Sequence, residues 1–144
     1  MTMKSDIEIL KFVRGKLIKM GLAKSVTGKV CDRERPANSS KEDIVISVLA
    51  NEGAGQIQTA FVNVNVYVSD IFNSSSNDWE RDTKRCDTLC NLAKSLYTMR
   101  EGDFLVSADQ STPPRVLQVN VKFEDGHTEH CISCRLFVKI SNEV

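Results

Sequence analysis

The chain lacks an excess of charge of either sign: among 144 residues, 19 are lysine or arginine and 19 are aspartate or glutamate. A neutral molecule sets up no long-range field, so capture of nucleic acid or of an anionic membrane by the whole protein is excluded and any such binding has to be local. Long apolar runs are missing as well. Nothing approaches the ~20 consecutive apolar residues needed to cross a bilayer, and the opening MTMKSDIEIL has no uninterrupted apolar core of signal-peptide length. A soluble chain made in a cytoplasm, with no membrane partner, is the expectation. There are only two histidines, both beside a predicted hairpin turn, which gives a hydrolytic triad little to work with. The five cysteines are odd in number and have no secretory context, so they read as reduced thiols rather than a disulfide framework. Asn38-Ser39-Ser40 and Asn73-Ser74-Ser75 match the glycosylation acceptor pattern and are discounted on the same ground.

What the chain does have is strong alternation. The stretch from Arg33 to Val68 reads as a polar loop, a strand (Ile44, Ile46, Val48), a turn over Asn51 to Gly55 and a long strand. In that long strand Val62, Val64, Val66 and Val68 fall on one face and Phe61, Asn63, Asn65 and Tyr67 on the other, so one face is expected in a core and the other half-wet. The length predicts a single domain over 1–144 that needs neither disulfide nor metal for stability.

An amino-terminal helix of about fifteen residues is predicted from the capping box Ser5/Glu8 and the stop at Gly21, with Ile7, Leu10, Val13, Leu17 and Met20 along its apolar stripe. A short strand is expected around Lys29 to Arg33. Residues 69–78, SDIFNSSSND, break the pattern and read as an exposed, mobile loop. A second helix follows from Asn77 or Asp78 to before Gly102, with Cys86, Leu89, Cys90, Ala93, Leu96 and Tyr97 at helical spacing. Phe104 to Ser107 forms a short strand, Pro113 and Pro114 a turn, and Leu117, Val119, Val121 and Phe123 alternate up to Asp125-Gly126, a two-residue hairpin signal. Ile132, Cys134, Leu136, Val138 and Ile140 alternate back. The class is therefore α+β: a mostly antiparallel sheet with two main helices packed on one face. The opposite face, carrying Phe61, Tyr67 and Phe137 among polar residues, has the composition of an interface, unless those aromatics belong to a second core layer.

Reactive constellations are scarce. His127, His130, Cys131 and Cys134 place four nitrogen and sulfur donors within eight residues, as zinc would accept. On a strand, however, Cys131 and Cys134 point to opposite faces, and Cys134 belongs to the apolar alternation. Cys86 and Cys90 share a helix face, but it is the apolar one. Gly28-Lys29 is too far from Gly21 for a phosphate loop, with Val30 where Ser or Thr would hold magnesium. Glu42-Asp43 and Glu124-Asp125 read as solvated charge rather than as acid and base across a cleft. Lys29, Arg33, Arg35 and Lys41 could touch phosphates, but no aromatic stacking set accompanies them, and a solvated loop or subunit contact is the better reading. No enzyme, cofactor or metal site is expected.

The order of amphipathic helix, RERPANSSKEDIVISVL, the long strand AFVNVNVYVSDI and a helix after a serine-rich loop resembles the small tail-completion or tail-terminator proteins of tailed bacteriophages. The resemblance implies a structural virion protein of the neck, or head–tail connector, made in the bacterial host cytoplasm. It implies a homo-oligomeric ring, commonly a hexamer, that contacts other neck or tail proteins and meets DNA only as channel content. Arg33, Arg35, Lys41, Phe61, Tyr67 and Phe137 are the interface residues expected on this reading. A neck ring protein on the portal side and a monomeric binding or adaptor module without catalysis are the alternatives.

Overall fold

The computed structural model describes residues 3–53, 55–119 and 122–142. Ser5 opens α1 (Asp6–Lys19) with the expected capping box, its hydroxyl accepting from the Glu8 amide at 3.2 Å while the Glu8 carboxylate accepts from the Ser5 amide at 3.3 Å. The helix buries Ile9, Phe12, Val13 and Leu17. Ile7, expected on this stripe, is 56% exposed, because two residues of α-helix carry it about 200° around the axis from Ile9. A short α2 (Gly21–Ser25) follows and buries Leu22.

β1 (Val30–Asp32) lies parallel to β2 (Ile44–Glu52), so the sheet is mixed at this edge. β2 then pairs antiparallel with β3 (Ile57–Ser69), with a bulge between Val48 and Ala50 at Leu49, which is exposed. The serine-rich segment is not the expected loop. It forms a small hairpin of β4 (Ile71–Asn73) and β5 (Asp78–Glu80), in which Phe72 faces Trp79 edge-on at 5.5 Å. Ser74, Ser75 and Ser76 occupy its turn, where Asn77 takes the left-handed conformation that asparagine tolerates. Because Asp78 to Glu80 are strand, the second long helix starts later than expected: α3 (Thr83–Ala93) begins at the Asp82 cap, whose carboxylate accepts from the Arg85 amide. A 3₁₀ turn over Lys94–Thr98 extends it.

The two-residue β6 (Arg100–Glu101) and β7 (Phe104–Val106) come next, and then β8 (Thr112–Val119), which contains Pro113 and Pro114 rather than turning at them. The ladder shifts register between Thr112 and Arg115, as two residues without amide hydrogens require, and an edge strand tolerates the break. The turn at Asp125-Gly126 is present, with Gly126 donating to the Phe123 carbonyl at 2.9 Å and holding φ +88. Among the described residues the last β8 pair is Val119 with Glu129. Phe123, expected in the strand, instead stacks on His127, and Val121 lies outside the described residues. β9 (Glu129–Ser141) runs the full length of β3.

The sheet order is β1-β2-β3-β9-β7-β6, with β8 sharing the far edge of β9 with β7. On one side Val62, Val64, Val66, Ile132, Cys134, Leu136, Val138 and Ile140 have no exposure and form one cluster with the buried faces of α1, α2 and α3. This is the α+β arrangement expected, helices on one face of a mostly antiparallel sheet. No described helix is long and apolar enough to cross a membrane.

Candidate functional site

The face of the sheet away from the helices can be read row by row from the strand register. Phe61 lies opposite Phe137, the rings edge to face at 5.0 Å. The next row is Ser47, Asn63, Arg135 and Thr112 across β2, β3, β9 and β8, followed by Val45, Asn65, Ser133 and Arg115. Tyr67, Cys131 and Leu117 form the row after that, then Ser69, Glu129 and Val119. A polar band therefore separates two rows of larger apolar side chains. No described helix packs on this face: the helices share their buried cluster with residues of the other.

One end is covered, by the loop after β1. Arg33 turns this loop with φ +65, and Arg35 is then driven back onto the sheet. Its guanidinium meets both oxygens of Glu129 at 2.8 and 3.0 Å and Oδ2 of Asp43 at 3.1 Å. It also donates to the carbonyls of Ser39 and Lys41, and its plane lies 4.2 Å over the Tyr67 ring. All three nitrogens of the guanidinium fork are engaged this way, Nη2 shared among three acceptors, and a lysine could not replace it. The side chains are 16% exposed for Arg35, 1% for Asp43 and 2% for Glu129. Burial pushes the Asp43 carboxyl up, but the Ser39 hydroxyl, the Lys29 amide and the Arg35 guanidinium outweigh it and hold Asp43 below its ordinary value. Gly28 stands against this group because it must: a Cβ there would sit 2.2 Å from Asp43 Oδ1 and 2.7 Å from the Glu42 carbonyl oxygen.

The six residues expected at an interface differ in how far they are presented. Arg33 and Lys41 are exposed, and Phe61 and Phe137 are half-buried on the open face. Arg35, which the loop's polarity suggested would point outward, is turned onto the sheet, and Tyr67 is half-buried beneath it. Their partners are within the chain, since Asp43 and Glu129 need a cation and the ring needs a cover.

Beside this cap lies a cleft of about 820 Å³ whose walls include Arg35, Tyr67, Lys122, Phe123, Asp125, His127 and Glu129. His127 Nδ1 is 2.5 Å from Asp125 Oδ1, its ring stacks on Phe123 with centroids 4.0 Å apart, and its buried Nε2 has no partner among the described residues. His130 pairs with Asp70 at 2.6 Å, tying the start of β9 to the end of β3. The donors His127, His130, Cys131 and Cys134 are thus dispersed. His130 and Cys134 are on the helix side, Cys131 is on the opposite side, and His127 is in the cleft wall. Burial pushes the Cys131 thiol up to about 12 and Cys134 up to about 11, which disfavours the thiolate that a metal or a nucleophile requires. Cys86 faces the core and is likewise raised to about 11 by burial.

The polar band itself was not legible in advance. Arg115 and Arg135 follow different turns in the sequence, and only the β8–β9 register brings them to one shallow pocket of about 230 Å³ with Asn63, Thr112 and Ser133. Alternation alone would have put Arg135 on the face of Phe137, but nothing in the sequence aligns β8, because its prolines interrupt the period. Compared with protein-family models and with curated proteins, the chain matches none.

Proposed function

We propose that this chain is a non-enzymatic structural protomer of the tailed-phage neck, closing into a homo-oligomeric ring that completes the tail or joins it to the head around the DNA channel. The observation that supports this most is the open sheet face, where the Phe61–Phe137 pair and the exposed Leu117 border a band containing two arginines. Apolar rows with arginine between them gain most when a second protein surface covers them. Ring closure requires a head-to-tail contact, so this face meets a different patch of the neighbouring copy, and the exposed Arg33 and Lys41 at the sheet's β1 end are available to that contact.

The test is assembly. Phe61→Glu and Phe137→Glu, each checked for cooperative melting, are expected to abolish the defined oligomer seen by native mass measurement and to leave heads and tails unjoined in an assembly assay. Folded variants that assemble normally would overturn the assignment. A monomeric binding module is the second reading, favoured by the 820 Å³ cleft, and it predicts a wild-type chain that stays monomeric at high concentration and is dispensable for joining.

A further inference from the structure

We infer that the pocket in the polar band is a phosphate-binding site. Its five lining residues, Asn63, Thr112, Arg115, Ser133 and Arg135, include two guanidiniums and no carboxylate. Among the described residues neither guanidinium makes an ion pair or a hydrogen bond. The single interaction of either is the distant approach of Arg135 to the Phe61 ring, at 5.7 Å. This contrasts with Arg35, at the end of the same face, whose fork is satisfied by two buried carboxylates.

The register explains why the two cations converge. Arg115 is directly opposite Ser133, and Arg135 lies two residues further along β9, so the arginines are diagonal neighbours on one face. That separation is roughly 7–8 Å between backbones, well within reach of two long side chains turned toward one another. The other lining groups favour an anion as well. Asn63 keeps its Oδ1 beneath the surface without a partner among the described residues. Its Nδ2, neither buried nor bonded, remains at the surface as a donor beside the hydroxyls of Thr112 and Ser133.

A tetrahedral phosphate can accept from both guanidinium forks and still leave oxygens for the amide and the hydroxyls, whereas a planar carboxylate has two oxygens and saturates one fork. The pocket volume of about 230 Å³ accommodates such a group. In the free chain the face is open, so the phosphate can be free or carried on a nucleic-acid backbone. With no net charge on the protein, affinity comes from the pocket alone and falls with salt. This site does not depend on ring formation.

The experiment is an amide-resolved NMR titration of the folded chain with orthophosphate, and separately with a short DNA duplex, against sodium chloride at matched ionic strength. Orthophosphate is expected to shift the resonances of Asn63, Thr112, Arg115, Ser133 and Arg135 saturably. Arg115→Gln and Arg135→Gln should each weaken binding about tenfold or more, and Arg135→Lys should fail to restore it. Duplex DNA moving the same resonances identifies a backbone phosphate as the source. Movement with orthophosphate alone identifies a free phosphate. Shifts no larger than those from chloride, or binding unchanged in both glutamine variants, would overturn the site.

Discussion

The two faces of β3 and β9 are made by alternate residues of the same two strands and solve opposite problems. Toward the helices, Val62, Val64 and Val66 meet Ile132, Cys134, Leu136 and Val138 with no exposure at all. Toward the other side, the intervening residues Phe61, Asn63, Asn65 and Tyr67 meet Cys131, Ser133, Arg135 and Phe137, and among the described residues cover is supplied at one end, by a polar loop. A helix brings a stripe of apolar side chains, so the face beneath it can be aliphatic. The 33–43 loop brings almost no apolar surface, so the face beneath it is bound by charge: Arg35 reaches down to Glu129 and Asp43, and Tyr67 lies under the guanidinium. Covering a sheet with a loop thus requires buried ions, and buried ions have to be matched in full.

That match gives the largest expected effect. Glu129→Ala leaves Arg35 with one carboxylate in place of two and should cost about 3–5 kcal/mol, measured by denaturant melting at neutral pH. The same opening should expose Cys131, so its reaction with a thiol reagent should accelerate in the variant at equal temperature. The cap also has a pH signature. Asp43 is held below its ordinary value of 3.8, so its contribution is fully present above that value and is lost as pH falls through the lower native one. The stability gap between wild type and Asp43→Asn should therefore be constant near neutrality and close in acid. A gap that widened with acidity would contradict the assignment of Asp43 as an ionised partner of Arg35.

A second substitution pair contrasts the faces at their middle. Leu136→Ala removes a fully buried side chain facing the helices and should cost about 2–5 kcal/mol, while Arg135→Ala, one residue earlier on the open face, should stay within about 0.5 kcal/mol in the isolated chain. Similar losses at both positions would mean that the open face is packed after all.

The helix-covered half of the molecule was the legible half. Val62 to Val68 and Ile132 to Ile140 alternate because one side meets the core, and Ser5 with Glu8 marks a helix start through local hydrogen bonds. These signals are short in range. What failed was long in range or hidden by composition. Serines and asparagines in 69–78 read as loop, yet Phe72 and Trp79 find each other across the turn and hold a hairpin. Arg35 read as an outward charge because its carboxylate partner Glu129 is 94 residues away. Arg115 was invisible beside Arg135 for the same reason: a register between distant strands, shifted by two prolines, is not written in either strand alone.

The smallest expected effect probes whether the open face is organised before any partner arrives. Phe61 and Phe137 are cross-strand neighbours with rings edge to face at 5.0 Å and 68° apart. Such a pair on a half-buried face couples by about 0.5–1.5 kcal/mol beyond the area each ring covers, so a double-mutant cycle with Phe61→Leu and Phe137→Leu should return a value in that range for the free chain. The cycle isolates the pair because leucine keeps most of the apolar area and removes only the ring geometry. If the coupling is present in the free chain, the aromatic row is preformed and a partner docks on it without an ordering cost. A coupling of zero would mean that the two rings are independent until covered, and the contrast between a rigid helix side and an adaptable open side would then extend to the side chains themselves.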